Sequence, residues 1–188
     1  MTKEALVETA VRLWMEKGYH NVSVNEICRE CAVTKGSYYH HFESKKDLLF
    51  YHFKKTAAEK LRNTDISCGN ENHLMVIKNI FHALTSAILQ YNSDMIISMI
   101  SKNDNYNFFT PEVYEAYLPE NIYSVITAHI SAGQKNSEIR TDHDAEFLLR
   151  TSFSLLTGNI MIWCYQGQPF DLLKQDEECL DLLLKKQQ

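Results

Sequence analysis

The 188-residue sequence has few chain breakers, with three prolines and six glycines. That excludes collagen-like and low-complexity classes, and the apolar content excludes a disordered chain. No apolar run approaches the roughly 20 residues of a bilayer span, so no membrane partner is expected. The start, Met1-Thr2-Lys3-Glu4, carries acid and no apolar stretch follows it; no secretory signal is read there, and a cytoplasmic protein is expected. Five cysteines, Cys28, Cys31, Cys68, Cys164 and Cys179, are odd in number and scattered. They fit thiols in a reducing compartment better than a disulfide framework. Alternating β-branched segments are missing, which argues against a sheet. Equally missing are a phosphate-cradling glycine loop, Gly-x-Ser-x-Gly and His-Glu-x-x-His. No enzyme class is therefore recommended and no cofactor is expected, although a helical enzyme or ligand carrier stays as an alternative.

What is present is charge asymmetry and helical period. Residues 1–62 hold eleven Lys/Arg against eight Asp/Glu, whereas residues 63–188 hold eight against sixteen. A +3 first third on a −8 remainder suggests a nucleic-acid-facing head on an acidic body.

Leu6, Ala10, Leu13 and Trp14 make one stripe of a first helix over about 2–17, which Gly18 stops. Ser23-Val24-Asn25-Glu26 is a capping box opening a second helix, with Val24, Ile27, Cys28 and Cys31 on one face. After a turn at Ala32-Val33, Thr34 caps a third helix ending near Phe42. Ser44 opens a fourth, with Asp47 at its third position and Leu48, Leu49 and Phe53 inward.

Ser67–Asn72 reads as a loop. A long amphipathic helix with Leu74, Ile77, Phe81, Leu84 and Ile88 follows, then a shorter one from Ser93 to Lys102. Asn103-Asp104-Asn105 breaks the pattern, and Pro111 and Pro119 suit the first turns of two further helices. Asp142 or Asp144 caps a helix running to about Gln166, which Gly167 and Pro169 end. A last helix follows Phe170. The expected fold is all-α with about nine helices: a three-helix head over 1–50, a connecting helix over about 45–65, and a helical body over 66–188.

Two short helices joined by a tight turn, the second rich in small polar and aromatic residues, suit the major groove, which admits one α-helix. The third helix offers Lys35, Ser37, Tyr38 and His40. Gly36 removes a side chain where a helix approaches DNA closely.

The stretch from Val24 to Leu49 closely resembles the signature of the TetR family of helix-turn-helix transcriptional regulators. It matches at Ser23, Ile27, Val33, Thr34, Gly36, Tyr39, Phe42, Lys45 and Leu48, and Gly18-Tyr19 also fits. Cys28 and Cys31 stand where the family usually has Ala, and Ala32 where Gly is common. Gly133-Gln134-x-x-Ser137-Glu138-Ile139-Arg140 resembles the segment before the family's penultimate helix, with Ser137 where Gly is usual. The resemblance implies that Ser23, Tyr39 and Lys45 meet phosphates and that Lys35, Ser37 and Tyr38 reach base edges. Thr34 and His40 suit either role. Tyr39 is expected to pack its ring in the core with its hydroxyl on DNA, and Phe42 to be core alone.

One head reads a half-site, so the resemblance also implies a homodimer on a near-palindromic double-stranded operator. Phe147, Thr151, Ser154, Leu155, Gly158 and Ile162, at three-and-four spacing, are the expected interface with Leu173, Leu180 and Leu184. An intramolecular core explains that stripe equally well.

The family's body usually encloses a pocket for a small, mostly apolar effector. Met and aromatic residues in the middle helices suit one, among them Phe81, Met99, Tyr123 and Met161, with His82 and His129 as polar groups. Plain core, and surface or satisfied histidines, are the competing readings. The implied mechanism is repression relieved when the effector favours a body state that respaces the heads. A redox-responsive regulator using Cys28 and Cys31 is an alternative. Zinc at that lone pair lacks a second ligand pair, and no metal is expected.

Overall fold

A computed structural model describes residues 3–66, 72–101, 118–119 and 121–186. Nine helices and no strands occur among them; Ile139 and Lys185 form an isolated antiparallel bridge.

Helix α1, Lys3–Lys17, buries Leu6, Val7, Ala10, Leu13 and Trp14. Gly18 ends it at φ +86°, its N–H donating to the Trp14 carbonyl at 2.9 Å. Helix α2, Val24–Glu30, starts at Ser23, whose hydroxyl oxygen accepts the Glu26 N–H at 3.2 Å. The Glu26 carboxylate lies below its ordinary range, chiefly because of Lys17 at 2.7 Å and to a lesser degree through the Ser23 N–H. Helix α3, Lys35–His41, is capped by Thr34 Oγ1 accepting the Ser37 N–H at 3.2 Å. Ser44 caps α4, Lys45–Arg62, by accepting the Asp47 N–H, and Asp47 accepts the Glu43 N–H in return. Each cap satisfies a donor that a helix start leaves open.

The body begins with α5, His73–Ile88, and α6, Ser93–Ile100. The latter stops two residues short of the expected Lys102, because Ser101 turns to extended backbone. Helix α7, Ile122–Lys135, starts after Pro119 rather than on it; the Pro119 carbonyl accepts the Ile122 N–H at 3.3 Å. Asp144, not Asp142, caps α8, Ala145–Tyr165; Asp142 is held by Arg140 instead. Helix α9, Leu172–Leu184, ends where Arg140 N–H meets the Leu184 carbonyl at 2.9 Å. The loop over 67–71, the break at Asn103–Asn105, Pro111 and Cys68 lie outside the described residues.

Helix α4 packs on α1, α5 and α6, so it joins head to body. Within the body α5 meets α7 and α9, and α8 meets α6, α7 and α9. Contrary to the expectation of no span-length apolar segment, α8 is long and apolar enough by length and composition to cross a membrane. It packs here with one side on its neighbours and the other outward.

Candidate nucleic-acid interface and effector cavity

The outer face of α3 follows from the helix period. Lys35, Gly36, Ser37, Tyr39 and His40 are exposed, as is the capping Thr34. A Cβ built on Gly36 would meet nothing closer than Thr34 Oγ1 at 3.7 Å. Nothing in the chain requires a glycine there, although a mid-helix glycine costs about 1 kcal/mol against alanine.

The two neighbouring tyrosines exchange their expected places. Tyr38 is 0% exposed, packs its ring beside Phe42 and donates its hydroxyl to the Ser44 carbonyl at 3.1 Å. Burial pushes that hydroxyl well above its ordinary pKa. Tyr38 is therefore a core residue, not a base reader. Tyr39 is 53% exposed, with its ring edge-on to that of Tyr38 at 5.4 Å, so it lies on the outer face of the helix. One residue is a 100° step around a helix, enough to separate them.

Lys45 corrects a second expectation. Its ammonium donates to the carbonyls of Tyr19 at 2.8 Å and Val22 at 2.7 Å, and it lies 4.4 Å from the Tyr19 ring centre. Burial pulls its pKa down. Two of its three donors thus staple α4 to the loop after α1 rather than facing solvent. The exposed Ser23 hydroxyl accepts from Glu26, and its proton remains available to a phosphate. Cys28 and Cys31 are buried free thiols, and burial pushes the Cys28 thiol up. A reactive cysteine needs the opposite shift.

Polar contacts join this head to α6. Asn92 Nδ2 donates to the Trp14 carbonyl at 3.2 Å, Ser98 Oγ lies 3.3 Å from His20 Nε2, and Lys46 Nζ donates to the Ser101 carbonyl. These contacts join residues 55 to 78 apart in the chain and leave no local signal in the sequence.

Behind that joint lies a cavity of about 100 Å³ bounded by α4, α5, α6 and α8. Phe50 and Phe53 line it from α4, Met99 and Ile100 from α6, and Phe153 and Thr157 from α8. No charged side chain lines it among the described residues. Of the six expected pocket residues, Phe81 and Met99 are in the lining. His82 is exposed and borders a separate groove between α5 and α9. Tyr123 and His129 are on α7, no residue of which is in the lining; His129 Nδ1 faces His73 Nδ1 at 3.1 Å. Burial and then His73 lower the His129 pKa. Met161 is half-buried outside the lining.

Along α8, Phe147, Ser154 and Ile162 are exposed, while Thr151, Leu155 and Gly158 are half-buried. A Cβ on Gly158 would meet nothing within 4 Å. Leu180 and Leu184 are buried on α9 within the subunit, so they are core and not interface. Leu173 is half-buried beside Lys78, and Leu182 is the outward leucine of α9 at 78% exposure.

Comparison with known proteins agrees with this architecture. Residues 6–54 match the family model described as bacterial regulatory proteins, tetR family. The Transposon Tn10 TetC protein of Escherichia coli is 27% identical over 173 residues, covering 78% of this chain and 87% of that one. The fatty acid metabolism regulator protein of Bacillus subtilis is 22% identical over 186 residues, covering 95% and 92%. Among solved structures, FadR from Bacillus subtilis in complex with stearoyl-CoA superposes with a TM-score of 0.71 at 19% identity, covering 97% of this chain and 98% of that one. Thermus thermophilus FadR in complex with lauroyl-CoA gives 0.66 at 18% identity, covering 97% and 93%.

Proposed function

Because this chain belongs to the TetR family of helix-turn-helix DNA-binding regulators, we propose that it is a homodimeric repressor released from its operator by an aliphatic effector. The head over 1–50 holds DNA, α4 connects, and the body over 66–188 binds the effector and the second subunit.

One observation carries this reading. Helix α4 supplies Phe50 and Phe53 to the cavity wall, and its first residue, Lys45, is stapled to the head. A molecule wedged against those rings acts on the same rod that orients α3. If it binds best to a body state with α4 tilted, it draws the population toward that state and changes the distance between paired heads. Two half-sites one helical turn apart tolerate no such change. The relatives bound to stearoyl-CoA and lauroyl-CoA make a hydrocarbon chain the natural filling for an apolar space of this kind.

On DNA, Lys35, Ser37 and Tyr39 face base edges, with Thr34 and His40 beside them and Ser23 on phosphate. The α8 stripe through the exposed Phe147, Ser154 and Ile162 and the half-buried Gly158 pairs with its copy, and Leu182 extends the patch. The protein works where the chromosome is, in the cytoplasm.

The test begins by selecting genomic fragments that the full-length protein retains. Recovery of one near-palindrome, lost on Lys35→Ala with Ser37→Ala, supports the reading. Recovery of random fragments defeats it. Ile162→Glu should yield monomers in sedimentation and reduce operator binding by more than tenfold; a dimer that survives it moves the interface elsewhere.

A further inference from the structure

Among the described residues the cavity lining carries no charge, yet a carboxylate stands one hydrogen bond behind its wall. Thr85 lines the cavity and donates its hydroxyl to Asp176 Oδ2 at 2.8 Å. Asp176 Oδ1 accepts from Asn159 Nδ2 at 3.0 Å. Asp176 is 3% exposed, and both of these partners are neutral. Asp176 itself lines the α5–α9 groove, together with Lys78, whose ammonium is held by Glu177 at 2.8 Å and Asp181 at 3.1 Å.

Burying an ionised carboxylate is costly unless a cation pairs with it. Among the described residues none does, and burial holds Asp176 above the ordinary carboxylate range. The surroundings add to the deficit, since residues 63–188 carry twice as many acids as bases. Among the described residues the cavity offers a phosphate-bearing head no cation. An ammonium would find a desolvated carboxylate, and charge-assisted hydrogen bonds are the strong ones.

We propose that the effector is an aliphatic molecule with a cationic polar end, its hydrocarbon in the cavity beside Phe53, Met99 and Phe153 and its ammonium passing Thr85 to pair with Asp176. The idea rests on the cavity being the effector site. It keeps the hydrocarbon chain suggested by the acyl-CoA complexes of the structural relatives and parts from them at the polar end, where a likeness at under 20% identity fixes no ligand chemistry.

Calorimetric titration of the full chain with octylamine, octanol, octanoate and octanoyl-CoA decides the matter, with Thr157→Trp to block the cavity and Asp176→Asn to remove the charge. Octylamine should bind at least tenfold more tightly than octanoate and octanoyl-CoA, with octanol between. Asp176→Asn should hold octylamine no better than octanol, and Thr157→Trp should hold none of the four. Octanoate or octanoyl-CoA binding as well as octylamine overturns the proposal, as does an amine preference that survives Asp176→Asn. The wild-type series settles the sign of the preference by itself should that variant not fold. If no probe binds, or if Thr157→Trp binds them all unchanged, the cavity is not the effector site and both readings fall together.

Discussion

The ammonium of Lys46 donates to the main-chain carbonyl of Ser101, tying the first turn of α4 to the end of α6. Ile100, one residue earlier, lines the cavity. Lys46→Met keeps the stem of the side chain and removes the donor. Amide hydrogen exchange in the last turn of α6 should then quicken severalfold, with operator affinity falling as the head loosens. Unchanged exchange there would mean that the contact does not hold the two helices together in solution.

Tyr38 and Tyr39 should separate stability from recognition. Tyr38→Phe loses the bond to the Ser44 carbonyl and should cost about 1 kcal/mol of stability while leaving sequence preference intact. Tyr39→Ala should leave the stability within about 0.5 kcal/mol of wild type, as a surface change usually does, yet weaken operator binding at least tenfold. Thermal melts and gel shifts on the same preparations read both; the reverse pattern would return Tyr38 to the DNA.

Ala32 and Ser137 sit in left-handed backbone at φ +52° and +62°. A Cβ in that region costs on the order of 1 kcal/mol. Ala32→Gly and Ser137→Gly should therefore each raise the melting temperature by roughly 2–4 °C. A drop at either site would show that the side chain contributes more than the backbone strain costs.

Gly133 is needed for room. A Cβ there would approach Ile139 Cδ1 to 2.7 Å and Cγ1 to 2.9 Å. Gly133→Ala should destabilise by about 1–3 kcal/mol, the usual range for overpacking, and Ile139→Val in the same chain should return part of the loss. Denaturant melts of the two single variants and the double variant measure the coupling; additive effects would contradict it.

Burial raises the Asp176 pKa above the ordinary carboxylate range. The folded chain then binds that proton more tightly than the unfolded chain does. The group's stabilisation is full below about pH 4 and is lost as the pH rises through its folded-state value. Asp176→Asn has no such dependence, so its melting temperature relative to wild type should climb as the pH rises above about 4 and level off once the folded-state carboxyl has lost its proton. A flat difference would mean that Asp176 titrates like a surface acid.

Local chemistry was legible in the sequence, and long-range packing was not. Ser23, Thr34 and Ser44 were readable as caps because a cap is decided within four residues, whereas the cap of α8 was narrowed only to Asp142 or Asp144. The head resembled its family at fixed offsets for the same reason. The order of Tyr38 and Tyr39 was not readable, because which of two adjacent rings turns inward depends on how α3 rests against Phe42. Leu180 and Leu184 looked like interface because an apolar stripe is the same whether it meets its own chain or another. Asp176 did leave a signal. It stands at the second place of Leu172, Asp176, Leu180 and Leu184, a four-residue series on the buried face of α9, where an acid is out of keeping.

Four cations of the head are already engaged by its own chain: Arg12 by Glu16 and Glu30, Lys17 by Glu26, Lys45 by two carbonyls and Lys46 by a third. Counterion release supplies nearly all of a protein's grip on random DNA, and each tethered cation subtracts from it. On the proposed reading the remaining hold rests more on the fit of α3 in its groove, fewer copies linger on the bulk of the chromosome, and a small population suffices to keep one operator filled.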